Sequence, residues 1–290
     1  MLAAFFGYLK ITDYIKFKKD NPGYMSVLEY LKIFFTRYLR LAPTYYVVFF
    51  FGWMVGPYLS TGPWWFTYQM DFCGCKTYWP GVIAMMGNEW AGWMVANEGC
   101  YYWGWFVACD LQLFLVVPIF VYILEFKLQN HKIIGNLLIL LLICIGTAIS
   151  FYVIYHNDQS AGLFAPQNYL VFKLWLNKAY TKIHAVGFGF VMARLFLDIN
   201  ERKLNDEDPK KASIFGKGYV ALALAIVVVS ILIFVSLFPL SANREPPSWS
   251  TMKSSVFIGL SRPAYLMSVL WIFHLQWLGY GKFFKRFMTR

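Results

Sequence analysis

Among the side chains that can carry charge or form strong hydrogen bonds within the long apolar segments of this 290-residue chain, six are candidates for a polar site. They are Asp110, Gln112, Lys182, His184, Arg262 and His274. An ionisable group inside a membrane helix costs several kcal/mol and is therefore a candidate for function. A histidine or carboxylate so placed could act as a general base on a hydroxyl group, which makes His184, His274 and Asp110 the candidate catalytic residues.

A structural role is the alternative for the same side chains. They could form a polar network that clamps the helices together, in which Arg262 or Lys182 neutralises Asp110. The members of this network would be Asp110, Gln112, Lys182 and Arg262. The sequence leaves the catalytic and the structural interpretation open.

Two arginines, Arg37 and Arg40, stand three residues apart in the segment TRYLRLAP. At this spacing they share one helix face. Arginines at a membrane boundary can extend to lipid headgroups, and the spacing alone favours this interpretation. Their planar guanidinium groups could instead bind the phosphates of a nucleotide-like donor.

Three of the five cysteines, Cys73, Cys75 and Cys100, fall in one long loop. Cys73 and Cys75 are poorly placed to pair with each other, so we expect one of them to bridge to Cys100 if this face is oxidising. Cys75–Cys100 is the candidate pair. A metal site is the rival interpretation, but the CGC spacing lacks the two-residue gap of zinc motifs and no histidine lies nearby. We therefore expect no metal.

The elements that position these residues are membrane helices. Hydrophobic residues make up 59% and charged residues 14% of the chain, against about 45–50% and about 25% in soluble domains. The excess falls in blocks long enough to cross a hydrocarbon core of ~30 Å. We predict an all-α, multi-pass transmembrane helical bundle with six full spans and a partial first one. The spans are expected at 1–9 (partial), 41–59, 106–124, 133–155, 180–197, 219–238 and 255–281.

Lysine and arginine are concentrated in alternate segments between the spans. Segments 10–40, 126–132 and 198–218, the last counted together with Arg194, and the tail after residue 281 hold 19 of the 26 basic residues. This alternation places the basic side in the cytoplasm or in an equivalent compartment such as the mitochondrial matrix. The net charge of +11 thus reflects membrane orientation, and we expect no nucleic-acid partner.

We expect residues 1–290 to form a single membrane domain with two notable loops. Segment 60–105 is a Trp- and Cys-rich loop on the non-cytoplasmic side, either an interfacial aromatic belt or a folded cap. Segment 198–217 is a mixed-charge loop on the basic side.

Several motifs together resemble the acyltransferase-3 superfamily, in particular its nose-resistant-to-fluoxetine branch. They are FFTRYLRLAPTYY, the GP-W-W and Cys–Trp pieces of the loop, and CYYWGWFVACDLQLFLVVPIF. The resemblance implies transfer of an acyl group from acyl-CoA to an acceptor hydroxyl across the membrane. It implies donor binding by Arg37 and Arg40, and it maps the aspartate of a D-x-Q motif onto Asp110.

The resemblance also implies a catalytic histidine in the first helix, and no histidine precedes His131. We therefore expect a chain shortened at both ends relative to the family. Our first hypothesis is a catalytically degenerate protein that contacts lipids and serves as a structural subunit of a larger membrane complex. We expect that complex in the mitochondrial inner membrane, with an endomembrane or the plasma membrane as alternatives.

The second hypothesis is a membrane O-acyltransferase that uses acyl-CoA as co-substrate, with His184 or His274 as the base. No cofactor is expected to be permanently bound in either case. A transporter or channel is a third hypothesis, and Asp110 is the only residue that supports it.

Overall fold

The computed structural model describes residues 1–20, 26–59, 62, 65, 72–90, 100–128, 130–159, 161, 175–205, 218–243 and 249–279. Within these residues every regular element is a helix and no β-strand occurs, which confirms the predicted all-α class. The α-helices are α1 (Leu2–Asp20), α2 (Val27–Phe50), α3 (Cys75–Ile83), α4 (Gly87–Trp90), α5 (Trp105–Tyr122), α6 (Lys132–His156), α7 (Ile183–Leu204), α8 (Gly218–Leu237) and α9 (Thr251–Trp277).

Short π- and 3₁₀-helical turns extend four of these helices. They are Phe51–Val55 and Gly56–Tyr58 after α2, Tyr102–Gly104 before and Ile123–Lys127 after α5, Ala179–Lys182 before α7, and Phe238–Asn243 after α8.

Five helical segments within the described residues are long and apolar enough to cross a membrane. They are Trp105–Lys127, Lys132–His156, Ala179–Leu204, Ala223–Ser241 and Thr251–Trp277. They coincide with the last five predicted spans, so the chain is a multi-pass integral membrane protein. Segment 41–59 is also helical but is not among the five, because tyrosine, glycine and proline dilute its hydrophobicity. At the start of the chain, the predicted partial span 1–9 is the first half of a helix that continues to Asp20.

The chain forms two compact units. The first unit comprises Met1–Lys10, Leu128–Ala165 and Ile183–Arg290. Small residues let its helices approach closely, as is common in membrane bundles. A Cβ atom at Gly189 of α7 would lie 2.6 Å from the Cβ atom of Ala4 in α1, so this contact requires glycine. One turn further along α7, Arg194 Nε donates a hydrogen bond of 2.9 Å to the Tyr8 hydroxyl of α1.

The second unit comprises Ile11–Lys127 and Pro166–Lys182. Its α2 begins with a capping box, because the Ser26 side chain accepts from the backbone of Glu29 and the Glu29 carboxylate accepts from the backbone of Ser26. Helices α2 and α5 run antiparallel. The Tyr30 hydroxyl donates a 2.6 Å hydrogen bond to the Leu115 carbonyl, whereas later residues of α2 meet earlier positions in and before α5.

The two predicted loops are partly helical. Segment 60–105 contains α3 and α4, and much of its remainder lies outside the described residues. Helix α7 continues to Leu204, so the beginning of segment 198–217 is helix and not loop. Residues 206–217 lie outside the described part of the chain.

Candidate functional site

An ion pair between Arg37 of α2 and Asp110 of α5 joins these two helices of the second unit. The Nη2 atom of Arg37 lies 2.5 Å from Oδ2 of Asp110, and the two side chains are 23% and 21% exposed. The Arg37 guanidinium carbon also lies 4.5 Å from the ring centroid of Phe114. Arg37 Nε is buried and has no hydrogen-bond partner in the part of the chain that the structure describes. The guanidinium is thus held between a carboxylate and an aromatic ring.

The ion pair gives Asp110 a different partner from the two that the sequence suggested, Lys182 and Arg262. It also changes the interpretation of Arg37, which we expected to extend to lipid headgroups or bind phosphates. Asp110 follows Trp105 by five residues and precedes Lys127 by seventeen, so it lies about 25 Å along the helix axis from the basic end of this span. Arg37 lies at the level of Asp110 and therefore away from the basic boundary.

Arg40 is one helical turn beyond Arg37 and has an exposed side chain. Both arginines therefore belong to α2 and not to a boundary segment. The basic residues are still concentrated on one side when these two are left out of the count.

A second polar cluster surrounds Asn88, the second residue of the short helix α4. The Asn88 Nδ2 atom donates to the Gln112 side-chain oxygen at 3.2 Å and to the Asn177 carbonyl at 2.9 Å. Gln112 Nε2 returns a 2.8 Å hydrogen bond to Asn88 Oδ1. The Cys109 thiol donates to the same Asn177 carbonyl at 3.0 Å. Gln112 thus belongs to a polar cluster with two asparagines that sequence reasoning did not single out.

The side-chain amide of Asn177 is the unusual group of this cluster. Asn177 is 0% exposed, and neither Nδ2 nor Oδ1 has a hydrogen-bond partner within the described residues. Leaving a buried amide unsatisfied costs about 1–3 kcal/mol.

Two lysines beside Asn177 are held by nearby groups. Lys178 Nζ lies 2.5 Å from the Glu89 carboxylate. Lys182 Nζ donates to the Trp175 carbonyl at 3.0 Å and lies 4.4 Å from the Trp175 ring centroid. Lys182, which the sequence suggested as a partner of Asp110, thus contacts an aromatic ring and a carbonyl.

A disulfide joins Cys75 to Cys100, with a Cα–Cα distance of 4.6 Å, and Cys73 is an exposed free cysteine. Tyr101 follows the bridge in a left-handed conformation, φ 55°, and its ring lies 5.0 Å from that of Tyr45. Burial raises the pKa of Tyr101, so its phenol stays neutral at physiological pH. This part of the 60–105 segment is a packed structure.

The remaining candidates belong to the first unit. His184 and His274 are buried, with 2% and 6% of their surface exposed. His184 is the second residue of α7, and its backbone packs against Gly146 of α6. His274 of α9 lies 5.4 Å from the Trp271 ring, and Arg262 has an exposed side chain. The arginines that we assigned to donor binding lie in the second unit, so the candidate bases and the candidate donor site are in different units.

No group of three or more His, Cys, Asp or Glu side chains that could hold a metal occurs among the residues that the structure describes. Sequence reasoning missed Asn88 and Asn177 because they are 89 residues apart. The only local signal was a tryptophan two residues from each asparagine, Trp90 after Asn88 and Trp175 before Asn177.

The fold and these clusters define a multi-pass membrane protein with a polar interior in one unit. Comparison with known proteins adds one distant relative. Over 125 residues the chain is 29% identical to nose resistant to fluoxetine protein 6 of Caenorhabditis elegans, a match that covers 42% of this chain and 14% of the relative. No model of a protein family matches the chain, and no solved structure matches it.

Proposed function

We propose that this chain is an acyltransferase-3-like integral membrane protein that does not catalyse acyl transfer and serves as a structural, lipid-contacting subunit of a larger membrane complex. The observation that carries the proposal is the ion pair between Arg37 and Asp110. The acyltransferase-3 resemblance would assign Arg37 to the phosphates of a donor that arrives from the basic side. The guanidinium is instead neutralised by a carboxylate that lies about 25 Å from Lys127 along the span Trp105–Lys127.

The buried histidines support the same proposal. A general base must come within hydrogen-bond reach of the acceptor hydroxyl. His184 and His274 are packed inside the first unit, where they contribute to helix contacts.

Large apolar surfaces support a lipid-contacting and subunit role. Two membrane helices bury very little of their most apolar stretch within the protein. The buried share of that stretch is only 6% in Ala223–Ser241 and 22% in Lys132–His156. Membrane lipid covers such surfaces, and we propose that partner subunits cover part of them. The mitochondrial inner membrane remains our proposed location.

The test is gentle detergent extraction of fractionated membranes, followed by native electrophoresis and mass spectrometry of the band. We expect a large, stable assembly with stoichiometric partner proteins, recovered in the inner-membrane fraction. Recovery of the chain alone, in detergent conditions that keep other complexes intact, would contradict the proposal.

A membrane O-acyltransferase is the second candidate, and the exposed side chain of Arg40 favours it. Arg40 forms no ion pair with a described carboxylate, so its guanidinium is available for a phosphate. Binding of a fluorescent acyl-CoA to the purified chain decides between the two candidates. Binding that Arg40→Ala abolishes and that Asp110→Asn strengthens, by releasing Arg37, would favour the enzyme.

A further inference from the structure

An apolar groove runs along one face of α8 and the turn that follows it. The residues that line it recur at intervals of three and four, so they share one helix face. They are Ser230, Ile233, Phe234, Leu237, Phe238 and Ser241. The groove has a volume of about 570 Å³ and lies within the membrane-spanning segment Ala223–Ser241.

The length of the groove corresponds to one leaflet of a bilayer. Eleven residues separate Ser230 from Ser241, about 16 Å of helix rise, which is roughly half of a ~30 Å hydrocarbon core. The groove ends near the segment 239–254, on the side that is poor in lysine and arginine.

An aromatic cluster closes this end of the groove. The Phe238 ring lies 4.5 Å from that of Phe234 and 4.9 Å from that of Trp249. Trp249 Nε1 donates a 3.1 Å hydrogen bond to Ser241 Oγ. A tryptophan with its ring on apolar side chains and its N–H on a hydroxyl is typical of the headgroup zone.

The ammonium group of Lys253 lies on this cluster. Lys253 Nζ is 4.2 Å from the Trp249 ring centroid and 5.5 Å from that of Phe238. The residue is exposed and forms no ion pair with any carboxylate in the described part of the chain.

The position of Lys253 in its helix adds to the positive potential. It lies in the first turn of α9, a helix of 27 residues, whose N-terminus bears a positive partial charge that disfavours a cation. Asp158 accepts a 3.3 Å hydrogen bond from Thr251 at the same helix end, which offsets part of this charge. An anionic group beside Lys253 would benefit from both the ammonium and the helix N-terminus.

We propose that this groove binds an anionic phospholipid of the leaflet on the side poor in basic residues. One acyl chain lies along the groove on α8, and the lipid phosphate is bound by Lys253 over the Trp249 ring. This inference extends the proposed lipid-contacting role to one site and one class of lipid.

The test measures lipid that remains bound to the purified full-length chain. The chain is equilibrated with mixed micelles of phosphatidylglycerol and phosphatidylcholine in equal amounts, and native mass spectrometry counts the retained lipids. We expect the wild type to retain phosphatidylglycerol in preference to phosphatidylcholine. Lys253→Gln should weaken retention about tenfold, the effect of losing one charge-assisted hydrogen bond.

Two further variants complete the design. Leu237→Trp fills the groove and keeps the lysine, and it should also abolish retention of phosphatidylglycerol. Lys132→Gln is the matched control, because Lys132 is also an exposed lysine in the first turn of a helix of the first unit, and it should retain lipid like the wild type.

Retention that is unchanged in both Lys253→Gln and Leu237→Trp would overturn the proposal, and so would equal retention of the two lipids. An equal loss in Lys132→Gln would also overturn it. The measurement is made on the isolated chain, so its result is independent of whether the chain is found in a larger complex.

Discussion

The ion pair between Arg37 and Asp110 yields a prediction about the sign of an energetic coupling. The variants are Arg37→Met, Asp110→Leu and the double variant that carries both. Each single variant leaves one charge of the pair in a largely buried position without its partner. The double variant removes both charges and leaves apolar side chains of similar length against Phe114.

The burial of the pair sets the expected magnitude. Removing one partner of a fully buried pair costs about 3–5 kcal/mol, whereas an exposed pair contributes about 0.2–1 kcal/mol. The side chains of Arg37 and Asp110 are about one fifth exposed, so we expect each single variant to lower the free energy of unfolding by about 2 kcal/mol. Because apolar replacement of a whole buried pair is often nearly neutral, the double variant should lose only about 1 kcal/mol and be more stable than either single variant.

Thermal unfolding in detergent, followed by the fluorescence of the 12 tryptophans, measures these differences. A loss of 1 kcal/mol lowers the melting temperature of a chain of this size class by about 2–4 °C, so each single variant should melt about 4–8 °C lower. Arg40→Met is the control, because an exposed surface substitution changes stability by no more than about 0.5 kcal/mol. If the double variant loses as much free energy of unfolding as the two single variants combined, the two side chains are not coupled. That result would refute the structural role of the pair.

Two further predictions concern the same unit. Asn177→Leu keeps the branched shape of the side chain but removes an amide that has no partner among the described residues. We expect this variant to raise the free energy of unfolding by about 1–3 kcal/mol. A lowered melting temperature would contradict this expectation. Replacing both Cys75 and Cys100 by serine opens a bridge across 25 residues and should lower stability by about 2–4 kcal/mol, whereas Cys73→Ser should leave the melting temperature unchanged and a similar loss in that control would show that the bridge is not the cause.

The membrane spans were predictable because hydrophobicity is a local property of the sequence. The predicted span 106–124 corresponds to Trp105–Lys127, and 133–155 corresponds to Lys132–His156. Asp110 and Gln112 were singled out because polar residues inside a membrane span are candidates for function. Both form polar contacts in the structure. It could not name their partners, because Arg37 is 73 residues from Asp110 and their contact depends on the register between α2 and α5.

The start of α2 could have been predicted from the sequence. We assigned segment 10–40 to the region outside the membrane because of its basic residues. Ser26 and Glu29 form the S-x-x-E pattern of a capping box, which marks a helix N-terminus. A helix that begins at Val27 places Arg37 ten residues inside it, and this placement would have favoured a helix–helix contact over a boundary position for Arg37.

The polar residues of α5 are concentrated in one turn, and the directions of their contacts bear on function. Asp110 contacts Arg37 of α2, while Cys109 and Gln112 contact the cluster around Asn88. A catalytic site would direct at least one of these groups towards a substrate. Each of the three is bonded to protein, so this turn fixes α5 against its neighbours on two sides. These protein partners of the polar groups support the structural role that we propose for this chain.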